Sequence, residues 1–337
     1  MRVAVLGATG LVGREMLSVL EQRDFPVTEL VPLASARSAG SSLRFKGREW
    51  TVQEVAESAF EGVQIALFSA GGDASRRWAP CASSKGTVVI DNSSAWRMDP
   101  CVPLVIPEVN ADDLSTHRGI IANPNCATIQ ALVALFPLHR EATLENFSAV
   151  TFQAVSGTGI AALDELRGGT AAMLAGESFT PRVYPHPIPF NAIPQIGSFD
   201  EEGISQEEWK MVKESRKILH LPSLPVSCTT VRVPVFRGHS EALTAVFQRP
   251  ITPERARQVL REAPGVCVKD DPGSATYPLA LDAAGTDPVY VGRVRRDTGS
   301  PRGLSLWVVA DNLRKGAALN AVQIAEVLLS GGRLERA

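Results

Sequence analysis

The stretch Arg2-Val-Ala-Val-Leu6, then Gly7-Ala-Thr-Gly10-Leu-Val-Gly13, then residues 14–22 with Met16, Leu17 and Leu20 at helical spacing, reads as strand, glycine turn and helix. In such a unit the first glycine permits the tight turn and a later one lets backbone approach a pyrophosphate. The helix N-terminus then attracts the anion. The spacing G-x-x-G-x-x-G departs from the G-x-G-x-x-G fingerprint, so a sharp turn without a ligand is the competing account. Apolar runs at 27–33, 63–68 and 87–90 supply further buried strands within the length of βαβ units. The first third is therefore expected to be a parallel, helix-covered sheet of the Rossmann type.

The second strand of such a sheet normally ends in an acid that bonds the ribose 2′-hydroxyl. Here it ends Leu33-Ala34-Ser35-Ala36-Arg37-Ser38, with no acid. A guanidinium between two hydroxyls suits a 2′-phosphate, which favours NADP over NAD. The alternative is a solvated loop arginine.

From residue 147 the pattern changes to longer alternating strands, at 148–154, 226–236, 243–247 and 304–310, with helices at 160–166 and 206–219. Residues 179–197 are rich in proline and read as an ordered loop or a subunit contact. A last apolar helix, 317–329, is of a kind that packs back on the first domain. The expected class is α/β, with a Rossmann-type coenzyme domain and a second α+β catalytic and dimerisation domain. The expected bounds are 1–123 plus 312–337 for the first and 124–311 for the second.

A chain of 337 residues is long enough for two cores, and a net charge of −2 with no lysine-rich arm gives no sign of nucleic acid. No apolar run reaches membrane-spanning length, and Met1 runs straight into a strand, so a soluble, cytoplasmic protein is expected. The five cysteines are widely spaced without a C-x-x-C pair, which suggests neither disulfides nor a metal site.

One of them, in Asn123-Pro124-Asn125-Cys126-Ala127-Thr128-Ile129, lies where a polar loop turns into an apolar helix. Unpaired N–H groups at a helix N-terminus favour a thiolate there, although a buried structural cysteine is the commoner fate of a lone thiol. A redox coenzyme with a thiol implies covalent chemistry on a carbonyl, which needs an acid or base nearby. His139 and His220 suit helix C-termini and His117 adjoins a turn glycine. His239 stands at a turn after Arg232-Val-Pro-Val-Phe-Arg237-Gly238, with an unperturbed imidazole value near 6.5 that serves proton transfer at neutral pH. Period-two alternation puts Arg232, Pro234 and Phe236 on one strand face, so Arg232 needs an anion: a substrate carboxylate or an internal salt bridge. Gln153 leads into Ser156-Gly157-Thr-Gly159, glycines that lie against nicotinamide or merely form the turn. Glu207 and Lys210, i and i+3 on one helix, read alone as a solvated ion pair.

These segments, together with Pro-Phe-Asn-Ala-Ile-Pro-Gln-Ile-Gly, Glu-Glu-Trp-Lys-Met, Arg-Val-Pro-Val-Phe-Arg-Gly-His-Ser-Glu and Ala-Asp-Asn-Leu-Arg-Lys-Gly-Ala-Ala-Leu-Asn, occur in an order that resembles the aspartate-semialdehyde dehydrogenase family over essentially the whole length. The resemblance implies Cys126 as nucleophile, His239 as general acid/base and Gln153 positioning the acyl centre. It implies Arg232 on the substrate α-carboxylate, Glu207 on the α-amino group, and Lys210, Arg97 and Asn125 on phosphate. For NADP it implies Gly7, Thr9, Gly10, Leu11, Val12, Gly13, Ser35, Arg37, Ser38, Ser156, Gly157 and Asn312. The implied partners are aspartyl phosphate, aspartate semialdehyde and phosphate, and a second copy in a homodimer that can associate further to a tetramer; no membrane is implied. Competing accounts are a related acyl-phosphate reductase, such as one acting on N-acetylglutamyl phosphate or glyceraldehyde phosphate, and a non-catalytic NADP sensor. A free amino group wants the Glu207 carboxylate, and a sensor has no use for Cys126 with His239.

Overall fold

The structure, a computed structural model, describes residues 1–331. Two compact units are formed: Met1–Asn125 together with the chain from Ala317 on, and Cys126–Gly316.

The first unit runs β1 (Arg2–Leu6), α1 (Leu11–Gln22), β2 (Glu29–Ala34), β3 (Ser42–Phe45), β4 (Arg48–Thr51), β5 (Gln53–Glu54), β6 (Ile65–Phe68), α2 (Gly72–Ser84), β7 (Val88–Asp91), α3 (Pro107–Asn110) and β8 (Ile120–Ala122). Six strands form a parallel sheet in the order β5-β2-β1-β6-β7-β8, while β3 and β4 pair as a hairpin. Because both faces are covered, β1, β6 and β7 are almost continuously apolar and buried. Strand order reverses at β1, which makes its C-terminal end the crevice where such sheets bind ligands. Gly7 sits there at φ +88°, and a methyl group in place of its hydrogen would lie 2.3 Å from Ser69 O. At Gly13 the same change would strike Gly7 O at 2.1 Å, so helix and turn touch without side chains between them.

The second unit runs α4 (Cys126–Ala142), β9 (Leu144–Gln153), α5 (Ile160–Leu174), α6 (Gln206–Ile218), β10 (Val226–Arg232), β11 (His239–Phe247), α7 (Pro253–Glu262), β12 (Val266–Val268), α8 (Ala280–Ala283), β13 (Val289–Arg296) and β14 (Gly303–Ala310). Its mixed sheet has the order β10-β9-β11-β14-β13-β12. Burial alternates along the strands: Phe147, Ala149, Thr151, Gln153, Glu241, Leu243 and Ala245 are buried, whereas Ser148, Val150 and Ala242 are exposed on the other face. Helices α4, α6 and α7 pack on strands of this sheet. After it, α9 (Leu319–Ser330) packs on α1 and α3 in the first unit, where Arg23 pairs with Glu326 at 2.6 Å. Among the described residues no helix is long and apolar enough to cross a membrane.

Several bounds differ from those expected. The chain divides at 125/126 and 316/317, not at 123/124 and 311/312, because Cys126 opens α4 and the turn through Gly316 packs on it. Residues 332–337 of the expected first domain lie outside the described residues. Helix α5 continues past residue 166 through Gly168 and Gly169, since Gly169 packs where a methyl group would meet the Phe179 ring at 2.8 Å. Strand β10 stops at Arg232 instead of 236, as Pro234 has no N–H to continue the ladder. The shared strand face expected for Arg232, Pro234 and Phe236 is therefore not formed. The proline-rich segment is ordered: Ile188 and Ile193 are buried, and Ile193 bridges to Arg232.

Candidate active site

Strand register builds the centre of the second unit. Arg232 on β10 lies opposite Gln153 on β9, and Ser240 on β11 lies opposite Phe152, so His239 falls beside Gln153. Alternation then places Arg232, Gln153 and His239 in one row on the helix-covered face, all three buried.

The Ala154 N–H donates to His239 Nδ1 at 3.0 Å, which leaves the ring proton on Nε2. That nitrogen has no hydrogen-bond partner among the described residues. Burial first, and the Arg232 guanidinium second, push the imidazole down to about 3, against a smaller opposing effect of Glu207. The expected imidazole near its ordinary 6.5 is thus corrected: this ring is neutral and presents a donor, because a second proton would face the Ala154 N–H.

Arg232 is 5% exposed and donates from Nη1 to Ala154 O at 2.6 Å. No carboxylate of the described residues pairs with it, which removes the internal salt bridge as its explanation. Gly157, exposed, covers the guanidinium and the ring: a methyl group there would sit 3.2 Å from Arg232 Nη1 and 3.6 Å from His239 Nε2. Its missing side chain keeps open the space above both donors.

Helix α6 reaches the same row through a capping box: Ser205 Oγ accepts from Glu208 N, and a Glu208 oxygen accepts from Ser205 N at 2.7 Å. The other Glu208 oxygen accepts from Thr230 N at 3.0 Å, fastening the first turn to β10. Glu207 is thereby turned inward. It accepts from Gln153 Nε2 at 3.2 Å and from Lys210 Nζ at 2.9 Å, with its side chain 6% exposed against 34% for the lysine. The pair is not the solvated surface pair that spacing alone suggests.

Cys126 is the first residue of α4, half-exposed and in no disulfide, with no acid in the first helical turn. The N–H groups of that turn favour an anion at the sulfur. Gly316, in a π-turn (Arg314–Ala318), presses against it, since a methyl group on Gly316 would come 2.8 Å from Cys126 Cβ. One turn along α4, Gln130 Nε2 reaches the His239 carbonyl oxygen at 3.5 Å, so helix and strand are joined just below the thiol. Ser156 Oγ lies 2.9 Å from Asn312 Nδ2, and Asn312 Oδ1 accepts from Gly238 N at 3.0 Å. This links the turn carrying Gly157 to the turn before His239.

The first unit carries the other residues that the motifs single out. At its crevice Gly10 caps α1 without any side-chain bond to the helix amides, and no acid stands in the first turn. Thr9, Leu11 and Val12 are half-buried in the same loop. Ser35 and Arg37 are exposed and Ser38 half-buried just beyond β2. Arg97 is buried and donates to Asn92 O at 2.9 Å; Asn125 is buried directly before the thiol. Asp91, at the end of β7, accepts from Ser93 at 2.6 Å and is held above the usual carboxylate range by burial. Neither Asp91, Gly316, Gln130 nor Ser205 was marked by motif alone, although Ser205-x-x-Glu208 is a readable capping signal.

Residues 2–117 match the family model described as semialdehyde dehydrogenase, NAD binding domain, and residues 135–315 match semialdehyde dehydrogenase, dimerisation domain. An aspartate-semialdehyde dehydrogenase of Aquifex aeolicus is 53% identical over 335 residues, covering 98% of both chains. The chain belongs to the aspartate-semialdehyde dehydrogenase family. The solved aspartate semialdehyde dehydrogenase II of Vibrio cholerae, complexed with ASA, has a TM-score of 0.95 at 49% identity and 98% coverage of each chain. That of Candida albicans, with NADP, has a TM-score of 0.74 at 25% identity, covering 97% of this chain and 98% of that one. Family membership makes this an oxidoreductase of amino-acid biosynthesis with an NAD(P)-binding Rossmann-type domain and a second mixed-sheet domain, as the motifs imply.

Proposed function

We propose that the protein reversibly converts L-aspartyl 4-phosphate to L-aspartate 4-semialdehyde with NADP, through a thioester on Cys126, in the diaminopimelate, lysine, methionine and threonine pathways. The observation that carries this is Arg232: a buried guanidinium without an internal carboxylate, in one row with a neutral imidazole whose Nε2–H is unfilled. Such a charge calls for an anion from outside, and a substrate α-carboxylate supplies it in bidentate geometry.

In the biosynthetic direction the Cys126 sulfur attacks the acyl phosphate carbon, the C–O bond to phosphate breaks, and the acyl group stays on sulfur. His239 holds its Nε2 proton towards the oxygen of that acyl group, stabilising negative charge as the tetrahedral carbon forms and collapses. Gln153, anchored by Glu207 and Thr151, fixes the acyl centre from beside the ring. Glu207 also faces the α-amino group, and Lys210, Arg97 and Asn125 are the groups offered to phosphate.

The glycine loop fits a dinucleotide, because Gly10 leaves the first amides of α1 without a side-chain cap and a methyl group there would meet only Gly7 O, at 3.3 Å. Arg37, with Ser35 and Ser38, is suited to a 2′-phosphate, in keeping with NADP bound to the Candida relative. When bound, the coenzyme supplies or accepts the hydride. The exposed face of the second sheet, with Val150 uncovered and with Tyr277 and Leu279 exposed in the segment before α8, supports a homodimer, in line with the dimerisation domain of the family.

The test follows NADPH formation from aspartate semialdehyde, NADP and phosphate with the wild type and Cys126→Ala. Phosphate-dependent turnover should vanish in the variant; activity without the thiol sinks the thioester route.

A further inference from the structure

Directly beneath the catalytic row lies a second polar row, whose acid the reaction does not use. Glu241 follows His239 by two residues on β11 and so points to the same face, opposite Thr151 on β9, with Thr230 beyond it on β10. It is fully buried, and neither carboxylate oxygen finds a donor among the described residues. From α4 the group that reaches it is Gln130, one turn after Cys126. That amide spends Nε2 on the His239 carbonyl oxygen, while its Oε1 also lacks a donor.

Both carboxylate oxygens and the amide oxygen are thus unfilled acceptors in a dry interior, and each costs the desolvation of a buried polar atom. One proton serves both side chains. A neutral carboxylic acid donates its O–H to Gln130 Oε1, which in turn aims Nε2 at His239 O. Burial favours that form, pushing the Glu241 carboxyl well above its ordinary value, with only the Gln130 amide acting in the opposite direction.

We propose that Glu241 is a neutral acid at physiological pH which, through Gln130, fastens the helix bearing Cys126 to the strand bearing His239, and is thus a positioning residue for the reaction. The role rests on the function proposed above, in which sulfur and imidazole act on one carbonyl. Thiol and ring sit on different elements, so their separation is only as well fixed as the tie between α4 and β11. The Glu241–Gln130 pair supplies a tie one layer below the chemistry.

The experiment compares wild type, Glu241→Gln and Glu241→Leu. An infrared difference spectrum of wild type minus Glu241→Gln at neutral pH should contain the C=O stretch of a protonated carboxylic acid, shifted in D2O. Glu241→Gln, whose amide N–H replaces the acid O–H, should keep kcat within about three-fold, whereas Glu241→Leu should lower it by about 10- to 100-fold with little change in KM for aspartate semialdehyde. Carboxylate bands in place of the acid band overturn the proposal, as does equal kcat in the Gln and Leu variants. Should the Leu variant fail to fold, the infrared band and the Gln variant still decide. The band is recorded without turnover, so it tests Glu241 even if Cys126→Ala stays active and the thioester route fails.

Discussion

Replacing His239 by Asn should make the folded protein less sensitive to acid, whatever it does to turnover. In the unfolded chain the imidazole takes up a proton below its ordinary 6.5, whereas in the fold burial and Arg232 hold it at about 3. Between these values the unfolded state binds the extra proton, so stability falls as pH falls from 6.5 towards 3 and levels off below. At about 1.4 kcal/mol per pH unit the full window is worth about 5 kcal/mol, and the part above about pH 4.5 is worth about 3 kcal/mol. His139, also held low by burial, adds the same sign, and Glu241 the opposite one, its raised value removing stability as pH rises above the ordinary carboxylate range. Both are present in wild type and variant and cancel in the difference. Urea unfolding, followed by tryptophan fluorescence at one fixed protein concentration, gives that difference at several pH values from 7 downwards. The wild type should lose about 3 kcal/mol more than His239→Asn on going to about pH 4.5. A difference that does not change with pH would show that the ring is not buried neutral as described.

Two further substitutions test the roles proposed for Cys126 and Arg37. Gly316→Ala puts a methyl group 2.8 Å from Cys126 Cβ, so it should cost about 1–3 kcal/mol of stability and lower kcat by about 10- to 100-fold; turnover and the rate of thiol alkylation measure it, and wild-type values for both would mean the π-turn does not hold the thiol. Arg37→Ala should raise KM for NADP by about 10- to 100-fold, the worth of a charge-assisted bond, and leave NAD nearly unchanged; equal losses would show that Arg37 does not meet the 2′-phosphate.

The parallel sheet was legible because a strand buried on both faces is written as an unbroken apolar run, and because Gly7 and Gly13 are demanded by packing whatever they bind. In α5 the pair Gly168-Gly169 is a poor helix signal in the sequence. Only the fold shows that Gly169 is there to admit Phe179. At the end of β10 the valines alternate across Pro234 in a strand pattern that the proline, lacking an N–H, cannot continue. Period-two alternation could place Arg232 and His239 on strand faces, but the register that sets them beside Gln153 depends on pairing between segments far apart in sequence. For the same reason Glu207 looked solvated: spacing shows that it shares a helix face with Lys210, not that Ser205 and Glu208 turn that face against the sheet.

Burial that lowers the His239 imidazole also bears on how the rate responds to pH. Of the charged groups acting on the ring, Arg232 lowers its affinity for a proton and Glu207 raises it, both less than desolvation does. A substrate carboxylate on Arg232 would offset the guanidinium and so raise the imidazole again, but it would also exclude water, and the Ala154 N–H would still point at Nδ1. The largest cause therefore survives binding, and the ring stays neutral with its proton on Nε2 throughout the neutral range. An imidazole at its ordinary value would give kcat an acid limb near 6.5; a ring held at about 3 by burial gives none there. The kcat–pH profile between about pH 5.5 and 8 should accordingly be free of a limb belonging to His239, and His239→Gln should lower kcat by a nearly constant factor across it. A limb near 6.5 in the wild type that disappears in the glutamine variant would refute the lowered value of the buried ring.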